Sequence, residues 1–305
     1  MTLEIRAASI DDAADVHRLT QAAFAEHAEL EPRTAVLAET VAHVAANLGD
    51  HPALLALEDG VPVGGLRTRP DAEYPDRLRW VTRVSVSPSY RRRGLGSRLL
   101  VRAAEEATAA SMTGLRADVR EAVPGYWPLY VNLGWQVVAQ RPAWRVFGLP
   151  LPRPVADANA MRALGQRLAG LLETGDLILL SGPLGAGKTV LAQGIAGGLA
   201  VPGRVTSPTF VLAREHEGGR LPFIHVDAYR LSSWTELDDL DLATPAEDSV
   251  TVVEWGVGLA EGLADGHLLV TIDRSDDPGD DTRQVTLRGV GDGWTARQQL
   301  LDTTC

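Results

Sequence analysis

The sequence predicts an α/β protein of two domains, and three observations carry that reading. Short apolar runs alternate with amphipathic helical stretches along the whole chain. The segment Gly148-Leu149-Pro150-Leu151-Pro152-Arg153-Pro154 nearly bisects the 305 residues, and its three prolines favour a stiff, extended connector. The second half contains Gly182-Pro183-Leu184-Gly185-Ala186-Gly187-Lys188-Thr189, a complete G-x-x-x-x-G-K-[ST] pattern set between an apolar strand and a helix. The expected domains are residues 1–148 and 155–305, joined by a Pro-rich linker at 149–154.

Length and composition agree. The chain is long for one domain and comfortable for two. Its hydrophobic content of 45% and charged content of 23% are those of a globular protein. No stretch approaches eighteen apolar residues, so no transmembrane helix is expected. The start, Met-Thr-Leu-Glu-Ile-Arg, lacks the basic-then-apolar layout of an export signal. One cysteine, Cys305, permits no intramolecular disulfide and reads as an exposed terminal thiol. These features suit the cytoplasm and no membrane partner.

In the first half, Leu3 to Arg6 reads as a strand. Ser9 and Asp12 form a capping box that opens a helix to about Phe24. Leu37, Val41, Val44 and Leu48 share one face of a second helix. Runs from Ala53 to Leu57 and from Val61 to Arg67 flank Glu58-Asp59-Gly60, a hairpin signal. A strand from Arg79 to Val86 leads into Arg91-Arg92-Arg93-Gly94-Leu95-Gly96, and a helix follows from Ser97 to about Ala110. Leu115 to Val119 is another strand, and Leu133-Gly134-Trp135 and Trp144 to Phe147 close the half. Between strand and helix, the glycines let the loop curl so that its amides and the helix N-terminus meet a pyrophosphate, whose charge the arginines can pair.

In the second half, Asp176 to Ser181 reads as a buried strand. Thr189 to Leu199 reads as a helix with Leu191, Ile195 and Leu199 on one face. Gly182, Gly185, Ala186, Gly187, Lys188, Thr189 and Val190 form the cradle for a nucleotide's phosphates. Lys188 is the only lysine beside 28 arginines. A compact ammonium can reach into a backbone cradle where a planar guanidinium does not fit.

Two strands then end in carboxylates, Phe223 to Asp227 and Val250 to Glu254. With Thr189 they supply the oxygen set that a nucleotide-bound magnesium ion needs. His225, on the first of these strands, reads as structural. The acidic run from Asp273 to Arg283 reads as a solvated loop between strands.

Charge divides unevenly. Residues 1–150 hold 17 Arg and 18 Asp or Glu, a net of −1; residues 151–305 hold 11 Arg, one Lys and 22 acids, a net of −10. Neutralising phosphates supplies most non-specific nucleic-acid affinity, so the acidic half is a poor autonomous binder of RNA. It would reach nucleic acid through a protein partner.

Both halves resemble known families. The Arg91-x-x-Gly94-x-Gly96 loop, the element order and Tyr130-Val131-Asn132-Leu133-Gly134-Trp135 resemble the GNAT acetyltransferases. The resemblance implies that acetyl-CoA lies along Val84, Ser85 and Val86 and over Arg91, Arg92, Arg93, Gly94, Leu95, Gly96 and Ser97. It implies that Tyr130 protonates the leaving thiolate. Val123 stands where many members have asparagine, and Glu31, Glu73 and Glu121 are the candidate bases.

In the second half, GPLGAGKT, SPTF, HVDAYRL and VEWG, in that order and spacing, resemble the TsaE family of ATPases from bacterial tRNA threonylcarbamoyladenosine synthesis. This implies ATP and Mg2+ as ligands, with Thr189 and Glu254 on the metal and Asp227 beside them, acting on the metal or the attacking water; Asp227 and Glu254 are the implied catalytic groups. Thr209 falls in a switch segment, and Trp255 at the nucleotide. The implied partners are the TsaB and TsaD proteins, with tRNA engaged only indirectly. The segment from Glu236 to Leu242 lacks a glycine usual in the family. The rival from another class is a P-loop phosphotransferase fused to an inactive acetyltransferase-like docking module. That rival needs an acceptor lid with a base and further arginines.

Overall fold

The computed structural model describes residues 2–25, 29, 35–208, 211–275, 277 and 279–305. The chain divides into two compact units, Met1–Leu151 and Pro152–Cys305.

The first unit is one seven-stranded sheet with helices on both faces. Its elements are β1 (Leu3–Ala7), α1 (Ala13–Phe24), α2 (Val41–Asp50), β2 (Ala53–Glu58), β3 (Val61–Pro70), β4 (Leu78–Val86), α3 (Leu95–Ala109), β5 (Gly114–Arg120), α4 (Trp127–Val131), β6 (Gln136–Arg141) and β7 (Trp144–Pro150). The strand order is β1-β2-β3-β4-β5-β7-β6. Neighbours are antiparallel except β4 and β5, which run parallel. Leu95, Leu99 and Ala103 recur at helical spacing on α3 and pack on Leu54, Leu66, Leu115 and Phe147. Val16, Leu19 and Val44 of α1 and α2 cover the other face at Leu55.

Two irregularities of β4 bear on the site. Arg83 and Val84 of β4 together oppose Leu66 of β3, a β-bulge. Arg83 takes a positive φ of 54°, and its guanidinium holds Glu39 through Nε and Nη2 at 3.1 and 2.9 Å. The β4–β5 ladder runs only from Leu78–Gly114 to Trp80–Arg116. Beyond it, Val81, Thr82, Ser85 and Val86 keep partners on β3 alone, and the two strands part.

The second unit contains β8 (Arg153–Val155), α5 (Ala158–Ala169), β9 (Leu177–Ser181), α6 (Lys188–Gly198), β10 (Ala213–His216), β11 (Phe223–Asp227), α7 (Trp234–Asp238), α8 (Ala243–Glu247), β12 (Val250–Glu254), β13 (His267–Arg274), β14 (Arg283–Val290) and α9 (Asp292–Thr304). Its sheet is ordered β10-β11-β12-β9-β13-β14-β8. The four central strands β11, β12, β9 and β13 are parallel, and the outer pairs are antiparallel. The parallel strands are nearly continuous apolar runs because both faces are covered. Ile178, Leu180, Val252 and Val270 pack against α5 and α6, while Leu177, Leu179 and Val253 pack on the α7–α8 side.

Three expectations change. The second helix starts at Val41, not Leu37. Ala35–Ala38 is a separate 3-10 turn, and the Thr40 side chain accepts the His43 amide at 3.3 Å and caps the helix behind it. Residues 149–154 are not a bare connector: Pro150 ends β7, and Arg153 to Val155 pair with β14. Prolines fit there because they sit at strand ends and on an edge strand. Cys305 is 5% exposed, because α9 docks through Trp294 and Leu301 and carries the terminus into the core.

Candidate functional site

In the second unit the parallel register builds the site. Asp227 pairs with Glu254, and Glu254 with Leu180, so both carboxylates stand at the strand ends where the glycine loop leaves β9. Thr189, in the first turn of α6, donates its hydroxyl to Glu254 Oε1 and Oε2 at 2.8 and 3.0 Å. Ser207 donates to Asp227 Oδ2 at 3.0 Å, and the Tyr229 amide to Oδ1 at 3.2 Å. Asp227 is thereby tied to the polar turn that follows α6.

The loop is built on left-handed glycines. Gly182, Gly185 and Gly187 have φ of 145°, 74° and 111°. A side chain at Gly182 would also overlap the Ile272 carbonyl. Ala186 is buried beneath the loop and Val190 half-buried on α6. Lys188 Nζ donates to the Gly182 and Pro183 carbonyls at 2.8 and 3.0 Å and lies 3.7 Å from the Trp255 ring centre. Burial pulls this ammonium below the ordinary lysine value, against the opposing pull of Glu254 and Asp227. Trp255 has φ of 63°, and its indole packs on Tyr229 with ring centres 5.2 Å apart.

His225, which reads as structural in the sequence, sits against Glu254. Its side chain is wholly buried, and Nε2 donates to Glu254 Oε1 at 2.9 Å. Its Nδ1 is buried with no hydrogen-bond partner among the described residues. Alternation along β11 puts residues 225 and 227 on one face, and that was the available signal. Thr209 lies outside the described residues.

A hard divalent cation fits this set. Thr189, Glu254 and Asp227 offer oxygen donors only, and a nucleotide-borne ion needs just one or two carboxylates besides a hydroxyl. Among the described residues no three His, Cys, Asp or Glu side chains form a protein-only metal cluster.

In the first unit, Val84, Ser85 and Val86 form the end of β4 beyond the β5 ladder, where their backbone on that side has no strand partner among the described residues. Arg91, Arg92 and Arg93 follow in a turn, with Arg92 at φ of 61° and Arg93 stacked 5.0 Å over the Tyr90 ring. Gly94 has φ of 75° and precedes α3. Glycine brings no capping side chain, so the first amides, at Leu95, Gly96 and Ser97, are left for another acceptor.

Tyr130 is 7% exposed, with its ring 5.4 Å from Trp135 and 5.3 Å from Phe147. Burial pushes its phenol above the ordinary tyrosine value. Of the candidate bases, Glu73 accepts from Tyr74 at 2.8 Å and Glu121 from Arg145 at 2.6 Å. Glu31 lies outside the described residues. The sequence reading did not single out Asp118, on β5 past the last β4 pair. Burial raises its carboxyl above the ordinary value, against Arg141 and Arg69.

A central parallel strand, a left-handed glycine loop, a helix opened by lysine and threonine, and two strand-end carboxylates define a P-loop-like α/β unit. Residues 155–285 match the family model "Threonylcarbamoyl adenosine biosynthesis protein TsaE", and residues 14–135 match "Acetyltransferase (GNAT) family". The chain is 54% identical over 138 residues to the Streptomyces coelicolor "tRNA threonylcarbamoyladenosine biosynthesis protein TsaE", covering 44% of this chain and 93% of that one. The crystal structure of Bacillus subtilis YdiB is 29% identical with a TM-score of 0.41, covering 50% of this chain and 93% of that one. The Thermoplasma acidophilum PaiA N-acetyltransferase, solved with coenzyme A, is 15% identical with a TM-score of 0.44, covering 49% of this chain and 99% of that one. The chain belongs to the TsaE family through its second half, fused to an N-terminal domain of the GNAT family.

Proposed function

We propose that the second unit binds ATP with Mg2+ and hydrolyses it in support of threonylcarbamoyl transfer to the tRNA adenosine beside the anticodon. The first unit binds acetyl-CoA and acetylates an amine. The observation that supports the ATP reading best is the convergence of Thr189, Glu254 and Asp227 where the glycine loop leaves β9.

Lys188 and the loop amides hold the outer phosphates, the ammonium leaving the Gly182 and Pro183 carbonyls to do so. Thr189, Glu254 and Asp227 hold Mg2+. When bound, that ion draws off negative charge from the reacting phosphoryl oxygens. Asp227 orients the attacking water and accepts its proton. Ser207 couples Asp227 to the turn after α6, so hydrolysis is felt in the switch segment that includes Thr209. Trp255 lies at the nucleotide and flanks Lys188.

The family relationship and the −10 net charge of residues 151–305 support action through the TsaB and TsaD proteins, with tRNA reached only through them. Among the described residues no helix is long and apolar enough to cross a membrane, and the composition suits the cytoplasm. In the first unit, the parted β4 backbone receives the pantetheine, and the turn from Arg91 to Ser97 receives the pyrophosphate. Tyr130 gives its proton to the thiolate.

The test is capture of the full-length chain from native lysate with partner identification, alongside Mg2+-dependent ATP hydrolysis. Recovery of TsaB and TsaD with measurable turnover is expected. Recovery of a metabolic enzyme instead, with phosphate transferred to a small molecule, would overturn the pathway assignment.

A further inference from the structure

A cation stands on the other flank of the glycine loop from the carboxylates. The sheet order β12-β9-β13 puts Glu254 on one side of the loop strand and the end of β13 on the other. Thr271 pairs with Ser181, the last residue of β9, so β13 runs on past the start of the loop. Ile272 faces the α5–α6 core with its carbonyl against Gly182. Arg274, two residues further, lies on that same face. Its Nη1 donates to the Leu184 carbonyl at 3.4 Å, and a Cβ placed on Gly185 would lie 3.6 Å from Nη1.

Among the described residues nothing else accounts for this arginine. It faces Arg283 across the β13–β14 ladder, and like charges directly opposite one another are destabilising. An aspartate-rich loop follows it, and Arg283 turns to Asp281 with Nη2–Oδ1 at 3.9 Å. Arg274 makes no ion pair among the described residues. One long hydrogen bond uses one of its five donors and leaves the planar fork free for a bidentate partner. Leu184 is 80% exposed, so the guanidinium beside it stands at the outward rim of the loop. A group at that rim meets the phosphate furthest from α6.

We propose that Arg274 is a nucleotide-binding residue, a guanidinium supplied in cis from the end of β13 that contacts the terminal phosphate of a bound nucleoside triphosphate. This rests on the reading of the loop as an ATP site. With Lys188 inside the loop, the triphosphate would be held between two cations of this chain, and the carboxylates and their metal ion would hold the opposite flank. The contact distinguishes a triphosphate from a diphosphate.

The test is calorimetry on the full-length protein with Mg2+ and either ADP or a non-hydrolysable ATP analogue, comparing wild type, Arg274→Ala and Arg274→Lys. The alanine variant should lose about tenfold or more in affinity for the triphosphate analogue, the scale of a lost hydrogen bond to a charged group. Its ADP affinity should stay within about twofold, and its thermal midpoint without ligand should not move, since Arg274 is exposed. The lysine variant should fall between the two. Equal weakening toward both nucleotides would mean that Arg274 only staples the loop, and unchanged affinity for both would remove any role; either overturns the inference. Wild-type protein that binds neither nucleotide removes the ATP reading itself, and this inference with it.

Discussion

Thr189 and Glu254 are 65 positions apart, yet the threonine hydroxyl reaches both oxygens of the glutamate, at 2.8 and 3.0 Å. The pair joins the first turn of α6 to the end of β12 beside a third group, Asp227. Substituting Glu254→Gln keeps the shape and removes the charge. We expect ATP hydrolysis to fall by about two orders of magnitude, a scale typical of a lost electrostatic contact at a reacting phosphoryl group. Nucleotide binding should be partly retained, because the loop supplies most phosphate contacts. An unchanged rate and magnesium dependence would sink the metal assignment.

Lys188→Ala should weaken binding of the triphosphate by about 1.5–3 kcal/mol, through loss of a charged donor. Lys188→Arg should not restore it. The ammonium lies between two loop carbonyls and the Trp255 face, a space shaped for a point charge and not for a planar fork. Titration with ATP checks both variants, and full affinity in the arginine variant would make the lone lysine accidental.

His225 is expected to act through Glu254. In His225→Leu the carboxylate loses a buried donor, and stability should drop by about 1–3 kcal/mol. His225→Gln keeps an N–H near the same place and should recover part of both stability and turnover. Urea denaturation and hydrolysis rates read these out. Equal behaviour of the two variants would show that the hydrogen bond to Glu254 is immaterial.

Gly94→Asp should weaken acetyl-CoA binding to the full-length chain. Gly94 has φ of 75°, strained for any residue with a side chain, and the substitution sets a negative charge where a pyrophosphate is expected. Calorimetry with acetyl-CoA is the check. No measurable heat with the folded wild-type protein would instead favour a docking role for the first unit.

Glu39 ties the first unit together. Burial alone would raise its carboxyl, but hydrogen bonds from Arg67 and Arg83 outweigh burial and leave it below its ordinary value of 4.5. A depressed carboxylate adds stability above its unfolded pKa and loses it as pH falls through the folded pKa. Glu39→Gln should therefore lower the thermal midpoint of the first unit at neutral pH. Its deficit against wild type should shrink as pH drops below about 4.5. A deficit independent of pH would mean the ion pairs contribute nothing.

Much of this protein was legible in the sequence, because those features are local. The glycine loop, the capping box at Ser9–Asp12 and the apolar face of α6 at Leu191 and Ile195 each follow from a few nearby residues. So does the alternation of strands and helices in both halves. The family resemblances rest on contiguous motifs of the same kind.

Tertiary structure decided what depends on register and on distant neighbours. Thr40 stopped a helix that hydrophobic spacing alone would have begun four residues earlier, because a capping side chain competes with continuation. Cys305 went inside because α9 docks as a unit. His225 joined Glu254 through the pairing of β11 with β12, and the parting of β4 from β5 follows from where their ladder ends. Arg274 came to the glycine loop from 90 positions away because β13 is the parallel neighbour of β9. Periodicity fixes which face of a strand a side chain takes, but which strands lie side by side is settled only when the sheet assembles.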